Sequence, residues 1–269
     1  MKAATGPSLS IRADNGAAYG EHRGAYLAQL VAPLDDMWAT FADQASAHAL
    51  HVGDELAGSC AVDGDGQLLR FFVLPGFSQH SEALLRLCLS ELPIQQMIVS
   101  TLDPAGLCPG LDVAQRVESH SLLFAAELEP AGPGLPDLTV AQLDDHARIV
   151  EFQLAAVGMP REFLEPYTQG RLERQELLLF EEGQRLLCVG ELRADQQQPG
   201  IAHVGLIVHE ELRGQGIGTK MLCSLVKRCG EQGLAAHCST EVTNLGARRA
   251  IERAGFRAHH RVLRLEFSS

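Results

Sequence analysis

The chain has 269 residues, 46% of them hydrophobic, and a formal charge of −12 from 34 Asp and Glu against 22 Lys and Arg. That length holds one or two domains with buried cores, and the acidic balance argues against nucleic acid and anionic membranes as general partners. No apolar run approaches the ~18 residues of a spanning helix, and the opening MKAATGPSLSIRADNG lacks the apolar segment of a secretory signal, so a cytoplasmic location is expected.

Residues 1 to 20 carry Ala, Gly and Ser without clear period and read as a loose lead-in. From Gly24 to Ala49 apolar residues recur three and four apart (Tyr26, Leu27, Leu30, Val31, Leu34, Met37, Trp38, Phe41), with Pro33 separating two short helices. Gly53-Asp54 and Gly64-Asp65-Gly66 then punctuate three apolar runs, a meander of strands. A helix follows from Ser81 to Leu92, a strand from Gln96 to Ser100, a short helix near Val113 and a strand around Ser121 to Leu128. Pro130 to Pro136 is nearly all turn formers and marks a boundary between a domain over 1–130 and another over 135–269.

The second half opens with a helix that Thr139 can cap and a further helical stretch from Pro160 to Leu172. A hairpin about Glu182-Gly183 joins Leu177–Phe180 to Arg185–Leu192, and Ile201 begins the next strand. This order of elements repeats that of the first half. Setting Phe72-Val73-Leu74 on Ile207-Val208-His209 aligns FFVLPGFSQHSEALLRLCL with LIVHEELRGQGIGTKMLCS without a gap, which reads as a duplicated domain of ~130 residues per copy.

Seven cysteines show no C-x-x-C pair and no metal-ligand spacing with histidine, so reduced, mostly buried thiols are expected and no metal. Cys238 lies on a strand bordering the candidate site, where a core thiol is the plainer reading. From Ile201 to Ser269 there are ten Lys and Arg against six Asp and Glu, whereas the preceding 200 residues carry −16. A basic segment suits a polyanionic cofactor and an acidic remainder a cationic amine; ordinary solubility charge accounts for both equally well.

The most informative stretch is IAHVGLIVHEELRGQGIGTKML, 201–222, a buried strand, a polar turn and three glycines opening an amphipathic helix. Glycines there leave backbone N–H groups uncovered at the positive end of a helix, and Lys220 adds a charge one turn in, which makes an anion cradle. A dinucleotide fingerprint needs G-x-G-x-x-G and a P-loop needs Gly directly before Lys; Gly214-x-Gly216-x-Gly218 followed by Thr219 fits neither. In the first copy the cradle positions hold Ser78, Gln79, Ser81 and Ala83, with Glu82 facing Ile217, so that half is expected to keep the fold without the cradle.

Arg213-x-x-Gly216-x-Gly218 after an apolar strand resembles the acetyl-CoA pyrophosphate loop of the GNAT acetyltransferase superfamily. Asn244-x-x-Ala247-x-x-x-Ile251-x-x-x-Gly255-Phe256, some thirty residues on, is similar to the second GNAT signature, in which a tyrosine usually stands where Ile251 does. The resemblance implies a tandem GNAT protein of the α/β (α+β) class. Each copy would be a mixed, mostly antiparallel sheet flanked by helices, with a degenerate N-terminal copy that shapes the acceptor cleft or stabilises its partner. It implies that Leu206, Ile207 and Val208 hold the pantetheine arm, and that Arg213, Gly214, Gln215, Gly216, Ile217, Gly218 and Thr219 take the pyrophosphate. Asn244 would bond near the thioester, and the Ile207 N–H would meet the developing oxyanion.

The implied activity is direct acetyl transfer from acetyl-CoA to a small-molecule or peptide amine, with the oligomeric state open. The usual general acid is absent, and Tyr167, in the helical region over the acceptor site, is the candidate to replace it; a surface residue is the plain alternative. An alkylammonium must also lose its proton, and His203, His237, Glu241 and Glu191 are candidate bases, an ordinary strand residue being the plainer reading of each and binding of the acceptor's charge a further one for Glu191. His259, His260 and Arg261 are expected on a solvated face. Ile251 motivates a rival reading as a non-catalytic acyl-CoA binder or sensor; a scaffold with two interaction domains is a further one.

Overall fold

A computed structural model describes residues 7–130 and 132–267. The chain forms two compact units, Met1–Leu122 with His260–Ser269, and Leu123–His259.

In the first unit, β1 (Leu9–Ala13) pairs antiparallel with β2 (Ser46–Val52), Leu9 opposite Val52. The expected lead-in therefore contains an edge strand, whose Leu9 and Ile11 alternate onto the core. Asp14 then starts α1 (Ala17–Gln29) by accepting the N–H groups of Gly16 and Ala18 at 3.1 and 3.0 Å. Pro33 separates α1 from α2 (Asp36–Gln44), which Asp35 caps through the N–H groups of Met37 and Trp38. The meander is β2, β3 (Glu55–Val62) and β4 (Gln67–Val73), followed by α3 (Ser81–Glu91), β5 (Gln96–Ser100) and α4 (Pro104–Val113). The sheet runs β1-β2-β3-β4-β5 and is completed by the end of β12 (Phe256–Glu266), whose Val262–Glu266 lie antiparallel to Ser100–Gln96.

The second unit repeats the order. It contains β7 (Thr139–Val140), α5 (His146–Val157), α6 (Arg161–Glu173), β8 (Leu177–Glu182), β9 (Arg185–Ala194), β10 (Ile201–Val208), α7 (Ile217–Glu231), β11 (Ala235–Glu241) and α8 (Leu245–Arg253). Its sheet order is β7-β8-β9-β10-β11 and then β6 (Arg116–Ala126), which enters through Leu123–Ala126. Thr139 is not the expected helix cap: it lies in β7 opposite Leu179, and a capping box between Gln142 and Asp145 begins the helical segment instead.

Each copy thus ends in a strand that closes the other copy's sheet. The sequence places the boundary between 130 and 135, whereas the packing changes at Leu122 and His260. Parallel pairing joins β4 to β5 and β10 to β11 amid antiparallel neighbours, the mixed α/β class the pattern predicts.

Candidate functional site

β10 pairs antiparallel with β9 along Ala202–Val208 but runs beside β11 only over Ile201–His203, opposite Ala235–His237. Beyond His203 the two strands part, and Leu206 and Val208 turn their backbone N–H and C=O into the gap with no partner on β11; Ile207 turns its own toward β9, in step with His209, whose N–H bonds Leu187 O at 2.9 Å. The pleat sends Leu206 and Val208 toward α7: a β-carbon built on Gly218 would lie 3.5 Å from Leu206 Cδ1 and 3.7 Å from Val208 Cγ2. His203, Gly205 and Ile207 alternate onto the opposite face.

At the end of the gap the loop turns into α7. Gly214 and Gly216 adopt φ of 78° and 84°, the left-handed region, with open space where a β-carbon would stand. The three glycines are there for two reasons: 214 and 216 for conformation, 218 for a close but ordinary approach to β10. No side chain caps α7, whose first internal bond runs from Lys220 N to Gly216 O at 3.1 Å. The N–H groups of Ile217, Gly218 and Thr219 therefore have no intrahelical acceptor and point out at the positive end of the helix dipole. Arg213 fixes the loop by donating to Ala156 O at 3.1 Å and Val208 O at 3.4 Å, Gln215 by donating to Glu211 O at 3.0 Å, and Thr219 ties α7 to α8 through Ala250 O at 3.4 Å.

Asn244 caps α8, its Oδ1 accepting the Ala247 N–H at 3.1 Å. Ile251, on the same helix, is 5% exposed. Between α7, the end of α8 and Gly132–Pro133 lies a cleft of about 420 Å³ whose walls include Lys220, Arg253 and Arg257 together with Glu129 and Glu252. The sequence reading missed this cleft, because two arginines near a helix end carry no motif.

The candidate proton-handling groups separate. His203 is buried at the paired end of β10, with Nε2 2.9 Å from Asp195 Oδ2, and braces the β9–β10 turn rather than facing the gap. Burial works to raise the pKa of Asp195, but the His203 imidazole and the N–H groups of Gln197 and Gln198 outweigh it and hold the carboxyl below its usual range. His237 is the register partner of His203, at the same closed end. Glu241 lies at the far end of β11, exposed, accepting from Thr243 Oγ1 at 3.3 Å.

Tyr167 and Glu191 come together: the phenol donates to Glu191 Oε1 at 2.7 Å and Oε2 at 2.9 Å. Arg171 Nε and Arg193 Nε stand 3.2 and 2.9 Å from Oε1, and Arg171 lies over the Tyr167 ring at 4.6 Å. Burial first, and then the Glu191 charge, push the phenol pKa well above its ordinary value. Glu191 sits opposite Gly205 on β10. The remaining tyrosines, Tyr19 and Tyr26, belong to the core of the first unit, and Cys238 is buried. His259 is exposed, as expected, and pairs with Glu127 at 2.6 Å; His260 departs from the expectation, half-buried and 3.2 Å from Thr101 Oγ1.

The first copy keeps the gap and fills it. β4 and β5 pair in parallel only at Gln67–Leu68 with Gln96–Met97, yet α4 packs on both strands, so close that a β-carbon on Gly106 would lie 3.0 Å from Phe71 O. Phe71 is the repeat counterpart of Leu206. Glu82 does not stand across the start of α3 as a blocking carboxylate; it turns along the helix to Arg86 at 2.9 Å. Among the described residues no cluster of three or more His, Cys, Asp or Glu is disposed to hold a metal ion, and no helix is long and apolar enough to cross a membrane.

Residues 17–127 match the acetyltransferase (GNAT) domain, and residues 145–256 match the acetyltransferase (GNAT) family. An acetyltransferase of the GNAT family from Colwellia psychrerythraea is 31% identical over 97% of this chain and 100% of its own, with a TM-score of 0.90. Two more distant structures share the fold. A GCN5-related N-acetyltransferase from Sphaerobacter thermophilus is 19% identical, covering 98% of this chain and 97% of its own, with a TM-score of 0.66. A tandem GNAT protein from the clavulanic acid biosynthesis pathway is 13% identical, covering 96% and 98%, with a TM-score of 0.65. No curated protein matches the sequence.

Proposed function

The chain belongs to the GNAT acetyltransferase family, with two copies of the domain in tandem, and on that premise we propose that its C-terminal copy is an acetyl-CoA-dependent N-acetyltransferase acting directly on an amine. The observation that carries this reading is the parting of β10 from β11 after His203, directly before an uncapped, glycine-opened helix. A strand edge with unpaired backbone groups suits an amide-bearing pantetheine arm, and bare N–H groups at a helix start suit a diphosphate. The residues fit the cofactor at both ends.

In this reading Ile217, Gly218 and Thr219 hold the diphosphate through their N–H groups, and Gly214 and Gly216 keep the approach clear of side chains. Lys220, Arg253 and Arg257 draw the charged nucleotide end toward the cleft they line. Leu206, Ile207 and Val208 align the arm along β10, and Asn244 donates its side-chain N–H to it. When bound, acetyl-CoA supplies an acetyl group activated as a thioester. The N–H groups of Leu206 and Val208, which face the gap, are the ones placed to polarise its carbonyl; the Ile207 N–H expected for this from the sequence faces β9, in step with His209, whose N–H bonds Leu187 O at 2.9 Å. Ile251 has no proton to give, which the departing thiolate tolerates because it is only weakly basic, its conjugate acid having a pKa of ~8.5. The first copy, its gap occupied by α4, binds no cofactor and serves as structure.

The test is acetyl-CoA binding by the wild type and by Gly218→Asp. At position 218 the φ is ordinary and a β-carbon makes ordinary contacts with Leu206, Val208 and Ala250, and an acidic residue in the first turn favours a helix by about 0.3–1 kcal/mol; Tm reports whether the variant folds. Its carboxylate places a negative charge beside the N–H groups assigned to the diphosphate. Binding should weaken at least ~10-fold, about 1.4 kcal/mol, with an unchanged or higher Tm; equal affinity of the two proteins overturns the cradle. A non-catalytic binder, the reading that buried Ile251 favours, would bind acetyl-CoA and release no thiol with any amine.

A further inference from the structure

Resting on the transferase reading above, we propose that Tyr167 and Glu191 form a proton relay for the acceptor amine, in which the amine N–H donates to the phenol oxygen while the phenol O–H donates to Glu191. The direction follows from the hydrogen bond already made. A phenol has one proton, and that of Tyr167 is directed at the Glu191 carboxylate, 2.7 and 2.9 Å from its two oxygens. Toward any further partner its oxygen is an acceptor. The role expected from the sequence, donation to the departing thiolate, would require breaking that bond; acceptance from an amine requires nothing to move.

The pair is placed for it. Glu191 faces Gly205, and with no side chain at 205 its carboxylate leans over β10: a β-carbon on Gly205 would be 3.7 Å from Oε2. Gly205 and Ile207 share one face of the strand, and both lie beyond His203, where the gap has opened. Two residues of strand set them about 7 Å apart. An attacking nitrogen over Gly205 has the relay on one side and, on the other, the open edge of β10, where the Leu206 N–H faces the gap. Phe163 stacks on the Tyr167 ring, centroids 5.6 Å apart and planes 20° apart, and Arg171 covers it, so the ring is held in register. Arg171 and Arg193, 3.2 and 2.9 Å from Oε1, hold the carboxylate in place.

The step balances. The amine lone pair forms the new C–N bond, the C–S bond breaks with its electron pair passing to the sulfur of coenzyme A, the amine proton moves to Tyr167 Oη, and the phenol proton moves to Glu191. Glu191 returns that proton through solvent to the thiolate, and the products are the amide and the free thiol. A weak base suffices, because the N–H becomes strongly acidic as the C–N bond forms.

The experiment measures thiol release with the fastest amine from a panel, for the wild type, Tyr167→Phe, Glu191→Gln and the double variant. Phe keeps the stacking on Phe163 and Arg171 and so keeps the fold, checked by acetyl-CoA affinity. Each single variant should lower kcat about 10²-fold with acetyl-CoA affinity unchanged, and the double variant should be no slower than the slower single one. Tyr167→Phe with kcat within threefold of wild type, or single effects that multiply in the double variant, overturns the relay and leaves the transferase reading standing. A wild type that binds acetyl-CoA and acetylates no amine overturns both.

Discussion

At Asn244 the amide oxygen already caps α8 by accepting the Ala247 N–H at 3.1 Å, which leaves the Nδ2 group for a ligand. The two jobs separate by substitution. Asn244→Asp keeps the cap, a role in which Asp equals Asn, but removes the donor and adds a charge, so the fold should hold while acetyl-CoA affinity falls about 10-fold; unchanged affinity by titration calorimetry would remove Asn244 from the site. In the first copy Asp103 caps α4, accepting from Gly106 N at 2.9 Å, but burial raises its pKa to about 6. The unfolded value is ~3.9, so the folded state holds the proton more tightly, and this stabilising contribution is complete below pH ~4 and lost as the pH rises through about 6. The loss by pH 7 is on the order of 3 kcal/mol. Asp103→Asn keeps the cap without the charge, so its gain in Tm over wild type should be larger at pH 7 than at pH 4; a gain independent of pH would refute the assignment. Asn244 and the loop glycines were legible in sequence because a cap and a left-handed φ are local demands. His203 was not, since its fate depends on Asp195 across a turn and on burial, and a histidine in a strand announces neither.

The same strand–gap–helix plan occurs twice, and what differs is the helix after the gap. In the second copy α8 packs chiefly on α7, whereas α4 lies against β4 and β5 and brings its Gly106 backbone against Phe71 O. The carbonyl that an arm would use in the first copy is covered by a helix. The chain should therefore bind acetyl-CoA with a stoichiometry of one, read by titration calorimetry or native mass spectrometry, and a second equivalent would show that α4 moves aside. That the first copy lacks the cradle could be anticipated from Ser78 to Ala83, but the occlusion lies elsewhere: Glu82 turns to Arg86, and the occluding α4 is expected from the sequence only as a short helix near Val113. Most helices and central strands were legible because their periods run for several turns or residues. β1 and β7 were not. Each is a short edge strand, and pairing with β2 or β8 decides its conformation more than its own composition does.

Duplication suggests two domains that separate at the Pro-rich run, and the packing argues otherwise. Residues 260–267 belong with the first unit, where Val262–Glu266 form the strand beside β5. Leu265 is fully buried there, and its Cδ2 lies 2.8 Å from where a β-carbon on Gly110 would stand, so strand and helix α4 meet with no slack. Leu265→Ala should cost about 2–5 kcal/mol, a large part of the ~5–15 kcal/mol that stabilises a domain. Ending the chain at His259 removes Val262 as well, takes Leu263 and Phe267 off the same core, and leaves β5 with an open edge. That truncation should unfold the first unit, seen as a lost cooperative transition and aggregation, although every cofactor-loop residue is retained. The converse fragment, residues 134–269, carries the apolar end of β12 with nothing to pair it and lacks the Leu123–Ala126 strand that completes its own sheet. It should aggregate alone, while the two halves expressed together should form a soluble complex that binds acetyl-CoA. A monodisperse 134–269 fragment with full affinity would show that strand exchange between the copies is dispensable and that each copy can close its own sheet.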